Sequence, residues 1–358
     1  MNIGYFISSH GFGHASRACS VIEKLSMIGD TKFFIFTTTP EWFFQNSLSF
    51  QYEYIETQTD VGLIQTNPFI EDMDKTINAL EIFFPFSDIR HAEFLRYVSK
   101  IKLDLILCDI SPFGLWIAEK LGIPSILVEN FTWDWIYEYY QDRYPKLNGH
   151  ISLLREIYQL PKMHFTCEPY CKISKNSIIV SPVFRESRSS REEIRRQLRL
   201  SDEDLLVLVT MGGIPIDHHN GNIFLSTGNL KFLFPVNNPN AIIDNENIIF
   251  LSHNHPYFHP DLVNASDLVI GKLGYSTVVE VYSHAKPFLF IGKKNFRESS
   301  VLEKFVREEI ISDEIEVNNL FSLHTLNKIQ NLISTTKTKN QPINGADQIV
   351  NIIRNEYI

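Results

Sequence analysis

The 358-residue sequence is poor in cysteine, has no apolar run of bilayer length and carries no surplus of positive charge. Each absence excludes something. Four cysteines, Cys19, Cys108, Cys167 and Cys171, are too few and too scattered for a disulfide framework. Cys167 and Cys171 also lack a second pair that would complete a zinc site. They read as reduced thiols of a cytoplasmic protein. No stretch approaches the roughly 18 apolar residues that cross a bilayer. Residues 1–10 show no basic segment followed by an apolar one, so they do not read as a signal peptide. Forty-two acidic residues against 33 basic ones give a net charge of −9, which argues against a general nucleic-acid binder.

What the sequence does contain is a rhythm. Residues 3–8, 33–37, 104–108 and 125–128 are short apolar runs that read as buried strands. Between them, residues 15–27 and 113–121 have helical spacing, and the second of these is ended by Gly122 and Pro124. Alternation of this kind predicts a parallel sheet covered by helices on both faces. At 181–190 the composition turns charged and serine-rich, which marks a boundary. A helix over 191–200 follows, with Ser189 or Ser190 as N-cap and Glu193 in its first turn. The rhythm then restarts, with strands at 205–210, 231–234, 247–251, 267–270 and 288–291 and a helix at 276–284. Closing helices are predicted at 320–334 and 345–357. The fold class is therefore α/β, with two doubly wound Rossmann-like domains. They span residues 1–183 and 184–342, and residues 343–358 form a closing helix free to cross back to the first domain. A chain of this length also favours two cores over one.

Two loops carry the chemistry. The first, residues 8–17, reads SSHGFGHASR. Gly11 and Gly13 supply the start of a dinucleotide fingerprint, but Ser16 stands where its third glycine belongs. The second strand ends Thr37-Thr38-Thr39-Pro40, without the carboxylate that binds ribose in that motif. A tight turn explains the glycines. It does not explain why His10, His14 and Arg17 gather around them. His14 falls at a helix N-terminus and at the carboxyl end of the first strand, the edge where open α/β sheets bind ligands. The positive helix end favours a neutral imidazole, which suits a general base. On these residues alone, a structural turn and a catalytic loop both stay open.

The second loop is Gly271-Lys272-Leu273-Gly274, followed by a helix that opens with Ser276 and Thr277. It is not a Walker loop. Free backbone N–H groups at a helix N-terminus still bind anions, and Lys272 adds charge. Glu280 lies three residues after Thr277, so it reads either as the partner of a capping box or as a carboxylate for ribose hydroxyls. His218, His219, His253, His255 and His259 make this half histidine-rich, but no carboxylate or cysteine stands at a fixed spacing to complete a metal site.

Four segments together resemble a known family: HGFGHASR, CDISPFGLWIAEKLGIPSILVENFTWDWIYEYY, SPVFRESRSSREEIRRQL and ASDLVIGKLGYSTVVEVYSHAKPFLFI. They are similar to the GT-B glycosyltransferases. Within that group they resemble the glycosyltransferase-like amino-terminal half of L-arabinokinases and bacterial relatives, and more distantly the peptidoglycan N-acetylglucosaminyltransferase. The sugar-kinase half of arabinokinases has no counterpart among these segments, so kinase activity is not implied. The resemblance implies that Gly274, Tyr275, Ser276 and Thr277 hold a diphosphate and that Glu280 takes the ribose. It places Tyr257 or Phe258 of SHNHPYFH at the base, and Arg297, Glu298 and Ser299 at the donor sugar. Gly11, Gly13, Gly212 and Lys272 join that donor side. It makes His14 the general base and Asp109 its support, although Asp109 also reads as a turn residue before Pro112. Asn130, Trp133 and Asp134, with His10 and Arg17, line the acceptor side, where Trp133 and Trp135 could equally be core. The segment 212–229 should hold a long helix in this family, and its pattern is weak enough to predict a short or distorted one.

The resulting expectation is an inverting, metal-independent glycosyltransferase. It would move sugar from a nucleotide-diphosphate sugar, most simply a UDP-sugar, to a hydroxyl acceptor, with no cofactor required. The alternatives are a nucleotide-sugar hydrolase or epimerase of the same fold, and a non-catalytic nucleotide-sugar binding protein. The acceptor is a small molecule, a glycan or a lipid-linked sugar, and no nucleic acid is a partner. Aromatic-rich segments at 41–50 and 81–86 are either core or a peripheral contact with the inner face of the membrane.

Overall fold

The computed structural model describes residues 1–67, 70–211, 228–235, 247–251, 255–292, 296–335 and 342–357. The chain divides into two compact units, Met1–Phe184 with Ile343–Ile358, and Arg185–Pro342.

The first unit opens with β1 (Asn2–Ile7), α1 (Phe12–Ser26), β2 (Lys32–Thr37), α2 (Glu41–Ser47) and β3 (Glu53–Glu56). A small hairpin of β4 (Gln65–Asn67) and β5 (Ile70–Glu71) follows, then α3 (Met73–Phe83) and α4 (Ile89–Ile101). The second half runs β6 (Leu105–Asp109), α5 (Pro112–Leu121), β7 (Ser125–Glu129), α6 (Trp133–Glu138), α7 (Leu147–Ile157), β8 (Met163–Cys167) and β9 (Ile178–Val180). Seven strands form one parallel sheet in the order β3-β2-β1-β6-β7-β8-β9. β1, β6 and β7 are almost wholly buried because helices cover both faces, which is why they read as unbroken apolar runs. The order reverses between β1 and β6. That switch point places the residues after β1 and those ending β6 side by side at the carboxyl edge.

Helix α1 begins at Phe12, three residues earlier than its apolar periodicity predicts, so Gly13 and His14 lie in its first turn. The turn itself is made by Gly11 alone, at φ +80 with open space where a Cβ would stand, so its backbone conformation is what calls for glycine. α5 is capped by Ser111, whose hydroxyl accepts from Gly114 N at 3.1 Å, and Gly122 closes it in the left-handed conformation.

The second unit holds α8 (Arg191–Gln197), β10 (Leu205–Thr210), β11 (Leu230–Pro235), β12 (Ile248–Leu251), α9 (His259–Ala265), β13 (Leu268–Lys272), α10 (Tyr275–Ser283), β14 (Phe288–Ile291), α11 (Ser299–Glu309), β15 (Ser312–Glu314) and α12 (Leu323–Ser334). Its six strands are again parallel, in the order β12-β11-β10-β13-β14-β15, with a switch point between β10 and β13. α8 stops short of residue 200 because Arg199 turns left-handed at φ 59 and the N–H of Leu200 bonds back to Arg195. Of the segment 212–229, only 228 and 229 are among the described residues, and Gly212, His218, His219 and His253 lie outside them.

The last helix, α13 (Gly345–Tyr357), belongs to the first unit. It lies against α1, where Lys24 pairs with Asp347 at 3.1 Å, and Gln348 Oε1 accepts from Ser181 N at 2.7 Å. A Cβ on Gly345 would stand 2.0 Å from the carbonyl oxygen of Ser181, so only glycine permits this approach. Among the described residues no helix is long and apolar enough to cross a membrane.

Candidate active site

At the carboxyl edge of the first sheet, His14 Nδ1 lies 2.8 Å from Asp109 Oδ1. α1 brings the histidine and β6 brings the carboxylate across the switch point. Asp109 is not the turn cap before Pro112, since Ser111 fills that position. Nδ1–H donates to the carboxylate, which leaves Nε2 as the lone-pair nitrogen. Nε2 makes no hydrogen bond among the described residues, and it is not sealed from solvent. This is the arrangement of a base whose tautomer is set by a carboxylate behind it.

Arg17 sits one helical turn beyond His14. Instead of facing an acceptor, it is 1% exposed and engages Asp109 twice, through Nε to Oδ2 at 2.8 Å and NH2 to Oδ1 at 2.7 Å. Its NH1 donates to Asn130 Oδ1 at 2.6 Å. Burial pushes the Asp109 carboxyl up, but the Arg17 charge and the hydrogen bonds from His14 and Arg17 outweigh it and hold the group below the usual carboxylate range. Directly after Asp109, Ile110 is held at φ 48, a conformation worth about 1–3 kcal/mol of strain for a non-glycine residue. Tyr158 donates to its carbonyl at 2.8 Å.

The residues assigned to the acceptor side form a floor more than a lining. Asn130, Trp133 and Asp134 are all buried, and only His10 keeps substantial surface. Trp133 stacks on Tyr137, meets His10 edge to face at a ring separation of 5.2 Å and donates its indole N–H to Asp60 Oδ2 at 2.8 Å. Asp60 and its loop escape the sequence reading. The loop is fastened by Thr59 Oγ1 donating to the carbonyl of Ile7 at 2.8 Å and Tyr137 OH donating to the carbonyl of Gly62 at 2.8 Å. The only sequence signal for it is a short polar break after β3, and β3 itself is too weakly patterned to be noticed.

In the second unit, β13 delivers Gly271 and Lys272 to the sheet edge and α10 starts directly after Gly274. Gly271 passes close to β10, since a Cβ there would lie 2.8 Å from the carbonyl oxygen of Thr210. No side chain caps α10. The capping-box reading of Glu280 therefore fails. Glu280 is 0% exposed, and its carboxylate accepts from Arg185 Nε at 2.9 Å and from His259 Nδ1 at 2.8 Å. Burial pushes its carboxyl up, but the Arg185 charge and the His259 contact prevail and hold it at about 2. Both oxygens are thus engaged by groups of the same unit. The accessible end of this network is His259, whose Nε2 lies 3.2 Å from Thr210 Oγ1.

Phe258 is buried, with the guanidinium groups of Arg185 and Arg188 at 5.1 and 4.1 Å from its ring centre, so Tyr257 is the more accessible aromatic of the pair. Tyr275 and Thr277 are buried in the first turn of α10, while Gly274 and Ser276 are half-buried. Glu298 and Ser299 are buried at the start of α11, and Arg297 is half-buried. Among the described residues no three His, Cys, Asp or Glu side chains stand close enough to hold a metal ion.

No protein-family model matches the chain. It is similar to L-arabinokinase of Arabidopsis thaliana, 26% identical over 369 residues, and it spans 99% of itself but only 34% of that relative's length. Its fold matches the glycosyltransferase VinC solved with dTDP, at a TM-score of 0.61 and 12% identity, covering 100% of this chain and 95% of that one. It also matches the enzyme UGT2 of Phytolacca americana solved with UDP-2-fluoro-glucose and pterostilbene, at a TM-score of 0.58 and 13% identity, covering 99% of each chain. The chain has the GT-B fold. Each GT-B unit here carries a histidine tied through Nδ1 to a buried carboxylate that an arginine also holds: His14, Asp109 and Arg17 in the first, His259, Glu280 and Arg185 in the second.

Proposed function

We propose that the chain is an inverting glycosyltransferase that uses a nucleotide-diphosphate sugar, with UDP-sugars the first candidates, and needs no metal. The observation that carries this is His14, with Nδ1 fixed by Asp109 at 2.8 Å and Nε2 unpaired at the ligand-binding edge of the first sheet. The acceptor, a small molecule, glycan or lipid-linked sugar, is taken by the first unit. His14 Nε2 accepts the proton of its hydroxyl while that oxygen bonds the anomeric carbon from the face opposite the diphosphate. The bond from that carbon to the diphosphate oxygen breaks, and its electron pair leaves with the diphosphate. The configuration is inverted.

The second unit receives the nucleotide. The N–H groups at the start of α10 and the ammonium of Lys272 meet the charge that develops on the leaving diphosphate, which is the part a metal ion would otherwise play. Gly274 and Ser276 are the surface of that turn, and Tyr257 offers a face to the base. Arg297 is the residue of this unit assigned to the donor sugar. Glu280 holds His259 and Arg185 in place beneath the turn. The nucleotides in the two similar enzymes, dTDP in one and UDP-2-fluoro-glucose in the other, support a nucleotide-sugar donor.

The test is a thermal-shift screen against UDP-, dTDP- and GDP-sugars, followed by measuring nucleotide release with and without an acceptor panel. Stabilisation by one nucleotide class, with release that needs an acceptor and survives EDTA, is the expected result. Release of free sugar without an acceptor would make the protein a hydrolase, and a change of sugar identity would make it an epimerase. Absence of any nucleotide binding would overturn the proposal altogether.

A further inference from the structure

A second buried carboxylate has no part in that scheme: Asp60, bonded to Trp133, whose ring centre lies 6.5 Å from that of His14. Asp60 is 5% exposed, and its hydrogen-bond partners are neutral. Trp133 Nε1 donates to Oδ2 at 2.8 Å, and the Ser8 hydroxyl also bonds the carboxylate. Among the described residues no arginine or lysine pairs with it. Asp109 is the opposite case. Arg17 covers both of its oxygens, at 2.8 and 2.7 Å, so carboxylate and guanidinium cancel. An imidazolium formed at His14 meets both charges of that pair, because Arg17 NH2 stands 3.3 Å from the same Nδ1 that Asp109 Oδ1 meets at 2.8 Å, and the guanidinium offsets much of the carboxylate's attraction.

We propose that His14 works with two carboxylates of divided duty: Asp109, neutralised by Arg17, fixes the ring through Nδ1, while Asp60 supplies the negative charge that balances the imidazolium. The functional meaning rests on the reading of His14 as the base, but the electrostatics do not. The other groups around His14 leave this division intact. From β7 and the chain after it, Asn130, Phe131 and Trp133 are uncharged. Tyr5 on β1 and Cys167 on β8 are kept neutral by burial, which pushes both groups up. Glu129, at the end of β7, bonds His164 and Thr166, each at 2.8 Å. His10 lies across the Trp133 ring. The two carboxylates are also driven in opposite directions. Burial pushes Asp60 up against the hydrogen bonds from Ser8 and Trp133, whereas Arg17 and His14 bring Asp109 down against its own burial. Environments that separate two carboxylates in this way usually separate their roles. Asp60 is a positioning and charge-balancing residue that acts through His14.

The experiment is an NMR titration of the His14 ring in the free protein, its signal identified by loss in His14→Gln. Asp60→Asn keeps an acceptor for Trp133 but removes the charge, and it should lower the His14 midpoint by about one pH unit. Arg17→Met should uncover the Asp109 charge and raise the midpoint by about the same amount, while Arg17→Lys stays near the parent value. An unchanged midpoint in folded Asp60→Asn would overturn the proposal, as would a lowered one in Arg17→Met. If Arg17→Met does not fold, Asp60→Asn decides alone. Because no substrate is involved, absence of glycosyl transfer would leave this result standing. If transfer is found, the acid limb of the kcat/KM profile should move with the same sign in each variant.

Discussion

Arg17 and Asp109 show how strongly single residues here depend on their partners. The pair is buried, so replacing Asp109 by Asn leaves a guanidinium without its counter-charge, a loss on the order of 3–5 kcal/mol. The same change should lower transfer at least a hundredfold, because the tautomer of His14 is no longer imposed. Chemical denaturation and turnover on one preparation read both effects. In the second unit Glu280 sets a pH dependence. Its carboxyl is held at about 2 against an ordinary 4.5, so its folded value is depressed. The stability it contributes is present in full above about pH 4.5 and is lost as pH falls toward 2. Glu280→Gln should therefore be less stable at pH 7, by an amount on the order of 3 kcal/mol, and should show a flatter acid limb between those values. A stability difference that stays constant down to pH 2 would contradict this.

At the scale of elements, the most testable join is α13 on α1. Gly345→Ala places a methyl group against the Ser181 carbonyl, and the helix must shift to admit it. Hydrogen exchange over 345–357 should then speed up while the central strands β1 and β6 keep their protection. The same scale shows what the sequence makes legible. Central strands such as β10 and β14 can be read to the residue, because burial on both faces leaves an unbroken apolar run. Gly122 and Ser190 mark helix ends through chemistry that is local to the chain. Edge strands such as β3 and β9 are half-exposed and short, so their pattern dissolves into the loops around them. Helices α3 and α4 fill the long connection between β3 and β6, where no strand signal frames them. The site divides in the same way. His14 can be read from its place after the first strand and Asp109 from the family resemblance, whereas the contacts of Arg17 with Asn130, 113 residues away, and of Trp133 with Asp60, 73 residues away, exist only once the sheet has formed. Glu280 sits at a spacing that suits a cap, yet its carboxylate turns to Arg185 and His259, because a buried charge is stabilised more by a cation than by a helix end.

For the whole molecule, the two units have separate cores and separate parallel sheets. A nucleotide held by the second unit should therefore stabilise that unit through mass action, by about 2.7 kcal/mol at a hundredfold excess over Kd. The first unit should unfold at an unchanged temperature unless an acceptor is added. Calorimetry with and without UDP would resolve the two transitions, and an equal shift of both would contradict independent binding. In the proposed reaction one nitrogen, Nε2 of His14, removes the acceptor proton while the nucleotide is held elsewhere. The direct measurement is His14→Ala, with UDP affinity by calorimetry and transfer rate by nucleotide release on the same sample. Affinity should stay within about twofold of the parent, and the rate should fall by about a hundredfold or more. Transfer at the parent rate would contradict this.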